Sequence, residues 1–210
     1  LNTRKIVLGL LICAFCQFSA VQDSPQIVKK HIAKKCSRER TKQDDITHIM
    51  IHFCSYAIES PENPYQLDKV IDVFEDFGVS ANYLIDRKGV IYELVPENRV
   101  AYHAGKGKLP HEPYYPNSLN GHSIGIELLA IGTEKEMEMF MSKESYRRIA
   151  KENIGFTTSQ YSSLNWLLDD LLKKYPTVKK NRQQIVGHDE YAPDRRTDPG
   201  SLFDWKKIGL

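Results

Sequence analysis

SANYLIDRKGVIYELVP, residues 80–96, is the stretch from which the fold can be read. Apolar and polar side chains alternate over 82–86 and again over 90–95, with Arg87, Lys88 and Gly89 between them as a turn, so the segment predicts a β-hairpin. On its amino side, YQLDKVIDVFEDFG (65–78) spaces Leu67, Val70, Ile71, Phe74 and Phe77 for one buried helix face and stops at Gly78. Before that, ITHIMIHF (46–53) alternates as a strand, with Ile46, His48, Met50 and His52 on one side and Thr47, Ile49, Ile51 and Phe53 on the other. On the carboxyl side, 99–121 is a long irregular excursion of the length that binding or lid segments take. HSIGIELLAIG (122–132) reads as a strand dense in Ile and Leu, and a helical pattern follows around 142–152. A longer helix over 159–174 carries Leu164, Leu167, Leu168, Leu171 and Leu172 on one face, with Thr158 as its cap and Pro176 beyond its end. QQIVGHDEY (183–191) is a short strand running into a loop at His188, and APDRRTDPGSLFDW (192–205) follows as a tail. The order strand, helix, hairpin, strand, two helices, strand predicts an α/β fold with a mixed central sheet flanked by helices.

The 210 residues, 41% hydrophobic and 27% charged, suit one soluble domain with a sizeable core. Arg4 and Lys5 precede the apolar run IVLGLLICAFCQF (6–18), which is short of the roughly 20 residues of a membrane span. Residues 1–20 are therefore expected to be a secretory signal, 21–45 a polar, lysine-rich arm laid over the domain, and 46–210 the domain itself. Export to the periplasm or cell envelope follows, with membrane contact only through the signal or through a lipid anchor on Cys13 or Cys16. Without Arg4 and Lys5 the chain holds 27 basic residues against 27 acidic ones, so the mature part is neutral and no nucleic-acid partner is expected. A monomer is expected. Beyond the signal, Cys36 and Cys54 are too few for a Cys-only metal site, and one bridge or two free thiols both remain open.

A catalytic zinc takes three ligands from His, Cys, Asp or Glu and keeps one position open. Of the histidines His31, His48, His52, His103, His111, His122 and His188, the best pair is His52 and His188, because each follows a short apolar strand and precedes a polar loop. Asp189, Asp194 and Asp198 are each candidates for the carboxylate partner. Glu127 stands within an Ile-rich strand, where an unpaired carboxylate costs several kcal/mol, and function is the simplest reason to tolerate it.

IMIHFCS, NYLIDRKGVIYELVPENRVAYHAG, SIGIELLA and above all GHDEYAPDRRTDPGSLFDW together resemble the N-acetylmuramoyl-L-alanine amidase family, which also contains the peptidoglycan recognition proteins and the phage lysozyme-like amidases. The similarity spans roughly 46–208 and looks closest to the bacterial branch with an aspartate as third ligand. It implies one zinc ion held by His52, His188 and Asp198, the recognition-protein-like amidase fold, and Glu127 as general base, since attacking water must lose a proton and the amine leaving group must gain one. The family's lysine two positions before the aspartate ligand is Arg196 here, whose guanidinium can stabilise an oxyanion but cannot serve as an acid near neutral pH. The usual glycine before the basic pair is Asp194, within reach of pairing with Arg195 or Arg196. His103, beside the cleft without binding the metal, is expected to contact sugar or peptide. Asn117 and Asn120 are candidates to hydrogen-bond a stem peptide, Tyr114 and Tyr115 to stack on a sugar, and His122 is a further candidate beside the Glu127 strand. The activity implied is hydrolysis of the amide between N-acetylmuramic acid and L-alanine in peptidoglycan or muropeptides. A peptidoglycan-binding module without strong catalysis, or a zinc hydrolase of another amide, are the alternatives.

Overall fold

The computed structural model describes residues 25–210; the signal expected over 1–20 lies outside them. Among the described residues the strands are β1 (Ile27–Lys29), β2 (Ser37–Glu39), β3 (His48–Cys54), β4 (Tyr83–Ile85), β5 (Ile91–Glu93), β6 (Arg99–Ala101), β7 (Ser123–Leu129) and β8 (Ile185–Gly187). The helices are α1 (Leu67–Phe77), α2 (Leu119–His122), α3 (Glu134–Met137), α4 (Lys143–Tyr146), α5 (Thr158–Lys174) and α6 (His188–Tyr191). Six strands form one sheet in the order β1-β5-β4-β7-β3-β8. Only the β4–β5 hairpin is antiparallel within it; the other neighbours run parallel. This is the mixed sheet that the element order predicts.

Both faces of the sheet are covered, which explains why its central strands read as near-continuous apolar runs. Ile49 and Ile51 of β3, Ile124, Ile126 and Leu128 of β7, and Tyr83 and Ile85 of β4 pack on Leu164, Leu167, Leu168 and Leu171 of α5. The opposite face meets α1 through Leu84 and Leu129, which pack on Val70, Ile71 and Phe74. Alternation along β3 and β7 therefore assigns His52 and Glu127 to the face away from α5.

The boundaries shift in instructive ways. The cap of α5 is Thr157, one residue before the expected Thr158. Its Oγ1 accepts from Gln160 N at 3.1 Å, and Gln160 Oε1 accepts from Thr157 N at 2.9 Å, a reciprocal box. Thr157→Ala is expected to lower stability by about 1 kcal/mol, read as a lower midpoint in urea with an unchanged slope. The helix expected around 142–152 is only the single turn of α4 followed by a separate 3-10 turn at Lys151–Asn153, because the segment turns Tyr146 and Ile149 inward onto a small cluster with Met137 and lacks a continuous apolar face. The 21–45 segment, without periodicity of its own, adds β1 to the sheet edge beside β5, while β2 pairs with β6 in a second, two-stranded sheet. Helix α1 ends as expected at Gly78, in the left-handed region at φ 65°, where a residue without Cβ is at ease. Phe77, expected on its buried face, is instead 78% exposed, its side chain turned to the wall of an open cleft rather than into the core. Cys36 and Cys54 are free thiols.

Candidate metal centre

Three parallel strands deliver side chains to one place. His52 lies near the carboxyl end of β3, and Glu127 of β7 is its in-register neighbour, so the two issue side by side from the same face. On the other flank of β3, β8 ends at Gly187 and His188 opens α6. The carboxyl ends of parallel strands are where α/β sheets place ligands. Asp198 arrives from the loop after α6, and its carbonyl oxygen accepts from Asp189 N at 2.8 Å. Glu136 holds that loop from outside: its Oε1 accepts from Ser201 N at 2.7 Å, and Thr197 Oγ1 donates to its carbonyl oxygen at 3.1 Å.

His52 Nδ1 and His188 Nδ1 both approach Asp198 Oδ2, at 2.7 and 3.1 Å, and the two rings stand 4.6 Å apart at 78°. All three residues are buried, and their donor atoms lie within 4.8 Å of one another. Burial pulls the His52 imidazole down to about 4, against the raising effect of Asp198, so the ring is neutral near pH 7. Burial pushes the Asp198 carboxyl up, but the interactions with His188 and His52 outweigh it and hold the group well below the usual carboxylate range. Neutral imidazole and ionised carboxylate are the protonation states metal ligation requires. Glu127 differs: burial first, then the negative charge of Asp198, push its carboxyl up to about 8. Its Oε2 is buried without a hydrogen-bond partner. Two nitrogens and an oxygen converging beside an orphaned carboxylate oxygen fit a single divalent cation with an open coordination position.

The group sits at the base of a cleft of about 380 Å³. Phe77, Val79 and Phe140 line it along with Arg196 and Cys54. The sequence profile of the N-acetylmuramoyl-L-alanine amidases matches residues 42–201, about three quarters of the chain. The chain belongs to that family. The 1,6-anhydro-N-acetylmuramyl-L-alanine amidase AmpD of Haemophilus influenzae is 31% identical over 196 residues, which cover 88% of this chain and 90% of the relative. A solved AmpD derivative superposes with a TM-score of 0.58 at 24% identity, covering 87% of this chain and 92% of that one. The Escherichia coli amidase AmiD, in complex with anhydro-N-acetylmuramic acid-L-Ala-D-gamma-Glu-L-Lys, superposes with a TM-score of 0.57 at 27% identity, over 81% of this chain and 60% of AmiD.

In this amidase the remaining candidate residues fall into separate groups. Arg196 lines the cleft, and its Nη1 donates to the carbonyl oxygen of Arg195 at 3.0 Å. Arg195 instead reaches the carbonyl oxygens of Ala104 and Lys106, and among the described residues the Asp194 carboxylate forms no ion pair with either arginine. His103 is at the cleft but buried against His52. Asn120 turns its carbonyl oxygen onto the backbone of His103 and Ala104, and Asn117 turns its own onto Gly107 N. Tyr115 stacks on His122, with ring centroids 4.3 Å apart, and meets the edge of His48, all at the amino end of β3 and away from the cleft. Tyr114 is half exposed and also outside the cleft lining. Sequence reasoning passed over Cys54, two residues beyond His52 on the same strand face and against the Glu127 carboxyl. That i, i+2 relation was its available signal.

Proposed function

We propose that this amidase hydrolyses the amide joining the lactyl group of N-acetylmuramic acid to L-alanine, in peptidoglycan or in released muropeptides, with one zinc ion held by His52 Nδ1, His188 Nδ1 and Asp198. The observation that carries the reading is Glu127, a buried carboxylate with an unpartnered oxygen beside three convergent donors. A module that only recognised peptidoglycan would have no use for it. The activity for which the Haemophilus influenzae relative is named and the muropeptide bound to AmiD support muropeptides as the substrate class.

When bound, zinc polarises the scissile carbonyl and makes water nucleophilic near neutral pH. Glu127, whose Oε2 is left without a hydrogen-bond partner beside the three donors, takes the proton from the attacking water and passes it to the departing amine. Arg196 lends a fixed positive charge to the oxyanion as it develops and, being permanently protonated, gives up no proton. Phe77, Val79 and Phe140 give the cleft an apolar wall beside these groups. The signal read over 1–20 supports export as part of the same proposal, so that the substrate is met in the periplasm or cell envelope.

Metal analysis of protein prepared without chelator, together with mass spectrometry of muropeptide digests, tests the reading. About one zinc per chain is expected, and digests should yield the free stem peptide and the muramyl sugar. Protein without zinc, or muropeptides left intact by zinc-loaded protein, would overturn it.

A further inference from the structure

Both histidines that converge on Asp198 turn their far nitrogen onto one dipeptide. His52 Nε2 lies 3.0 Å from His103 Nδ1, and His188 Nε2 lies 2.9 Å from the carbonyl oxygen of Ala104. The dipeptide is itself pinned, since Asn120 Oδ1 accepts from His103 N at 2.9 Å and from Ala104 N at 2.7 Å. Beyond the His103 ring, its Nε2 lies 3.2 Å from Ser123 Oγ, whose hydroxyl donates to the carbonyl oxygen of Leu119 at 2.6 Å. The ring fits only because β7 has a glycine beneath it: a Cβ at Gly125 would come within 2.5 Å of His103.

The direction of these hydrogen bonds follows from their ends. The Leu119 carbonyl can only accept, so Ser123 spends its single hydroxyl proton there. The Ser123 oxygen must then accept from His103 Nε2–H, which leaves His103 Nδ1 with a lone pair that accepts from His52 Nε2–H. The Ala104 carbonyl likewise obliges His188 to donate from Nε2. Each histidine therefore presents an unprotonated Nδ1 toward Asp198, and those facing lone pairs are compatible with one another only around a cation. The partner of the non-ligating N–H is what sets the tautomer and ring orientation of a histidine ligand.

We infer that His103–Ala104, held by Asn120, is the common outer support that presents both histidines in the metal-binding tautomer, so that His103 and Asn120 are positioning residues. The inference rests on the zinc site proposed above. Zinc affinity by chelator competition and nitrogen-15 shifts of the imidazoles test it without reference to turnover. In zinc-loaded wild type, His52 and His188 should both ligate through Nδ1 and carry their proton on Nε2. His103→Ala should weaken zinc binding about 10- to 100-fold, and Asn120→Ala should weaken it in the same direction. His103→Gln should recover most of the loss, because its amide can accept from His52 Nε2–H and donate to Ser123 Oγ. Ligation of His52 through Nε2 in the wild type overturns the inference with no variant needed. So does equal affinity in wild type and His103→Ala, and both results leave the metal site standing. A wild type that takes up no zinc overturns the site and its support together.

Discussion

Glu127→Gln is expected to lower kcat on muropeptides by ~10²- to 10⁴-fold while the protein still holds its zinc. Glutamine keeps the shape of the side chain and its place on β7 opposite His52, but it cannot take a proton from attacking water. The same substitution should make the metal-free protein more stable. The folded-state carboxyl holds its proton up to about 8, whereas in the unfolded chain it ionises near the ordinary 4.5 of a glutamate. For an acid with a raised folded pKa, rising pH between those values favours the unfolded chain, so Glu127 costs folding free energy across that window and costs nothing below it. Removing the ionisable group should therefore stabilise metal-free protein at pH 7 by on the order of 1–3 kcal/mol, with the advantage fading as pH falls toward 4.5. Parallel kinetics and thermal melts of wild type and variant, with zinc and with chelator, measure both effects. Full activity in the variant would remove Glu127 from the chemistry, and equal metal-free melting at pH 7 would show that its burial carries no cost.

That opposition between stability and activity is why Glu127 was legible in the sequence: a carboxylate in SIGIELL breaks a run in which all seven residues are buried. The central elements were legible for the same reason. Strands β3 and β7 lie between two packed faces and α5 has one, so burial writes a pattern along each of them. Strands β1, β2 and β6 are three residues each and are held by a partner's backbone, which leaves no mark on side-chain periodicity. The site was legible in part. Strand ends pointed to His52 and His188, but the choice among Asp189, Asp194 and Asp198 came through family resemblance, since which carboxylate a loop brings to a metal depends on how that loop closes. The inward contacts of His103 and Asn120 depend on closure as well. Their hydroxyl, ring and backbone N–H partners lie many residues away in sequence, at Ser123, His52 and the amides of 103–104.

The choice of carboxylate is open to direct test, because zinc bound only by the folded chain should raise its melting temperature. At about 100 times the dissociation constant the gain is ~2.7 kcal/mol, which for a chain of this size corresponds to roughly 5–10 °C. Asp198→Asn should abolish that shift and bring amide cleavage down to the rate of metal-free protein. The amide side chain keeps the loop's shape, and the backbone contact from Asp189 N to the carbonyl oxygen of residue 198 does not depend on the carboxylate. What is lost is the one carboxylate donor of the set, leaving two imidazoles, fewer than the three protein ligands a zinc site takes. Asp189 is not among the residues whose donor atoms converge, and its Oδ1 is turned toward Gly187. A variant Asp198→Asn that still binds one zinc with a wild-type shift in melting would mean that another carboxylate completes the site, and the ligand set would have to be redrawn around His52 and His188.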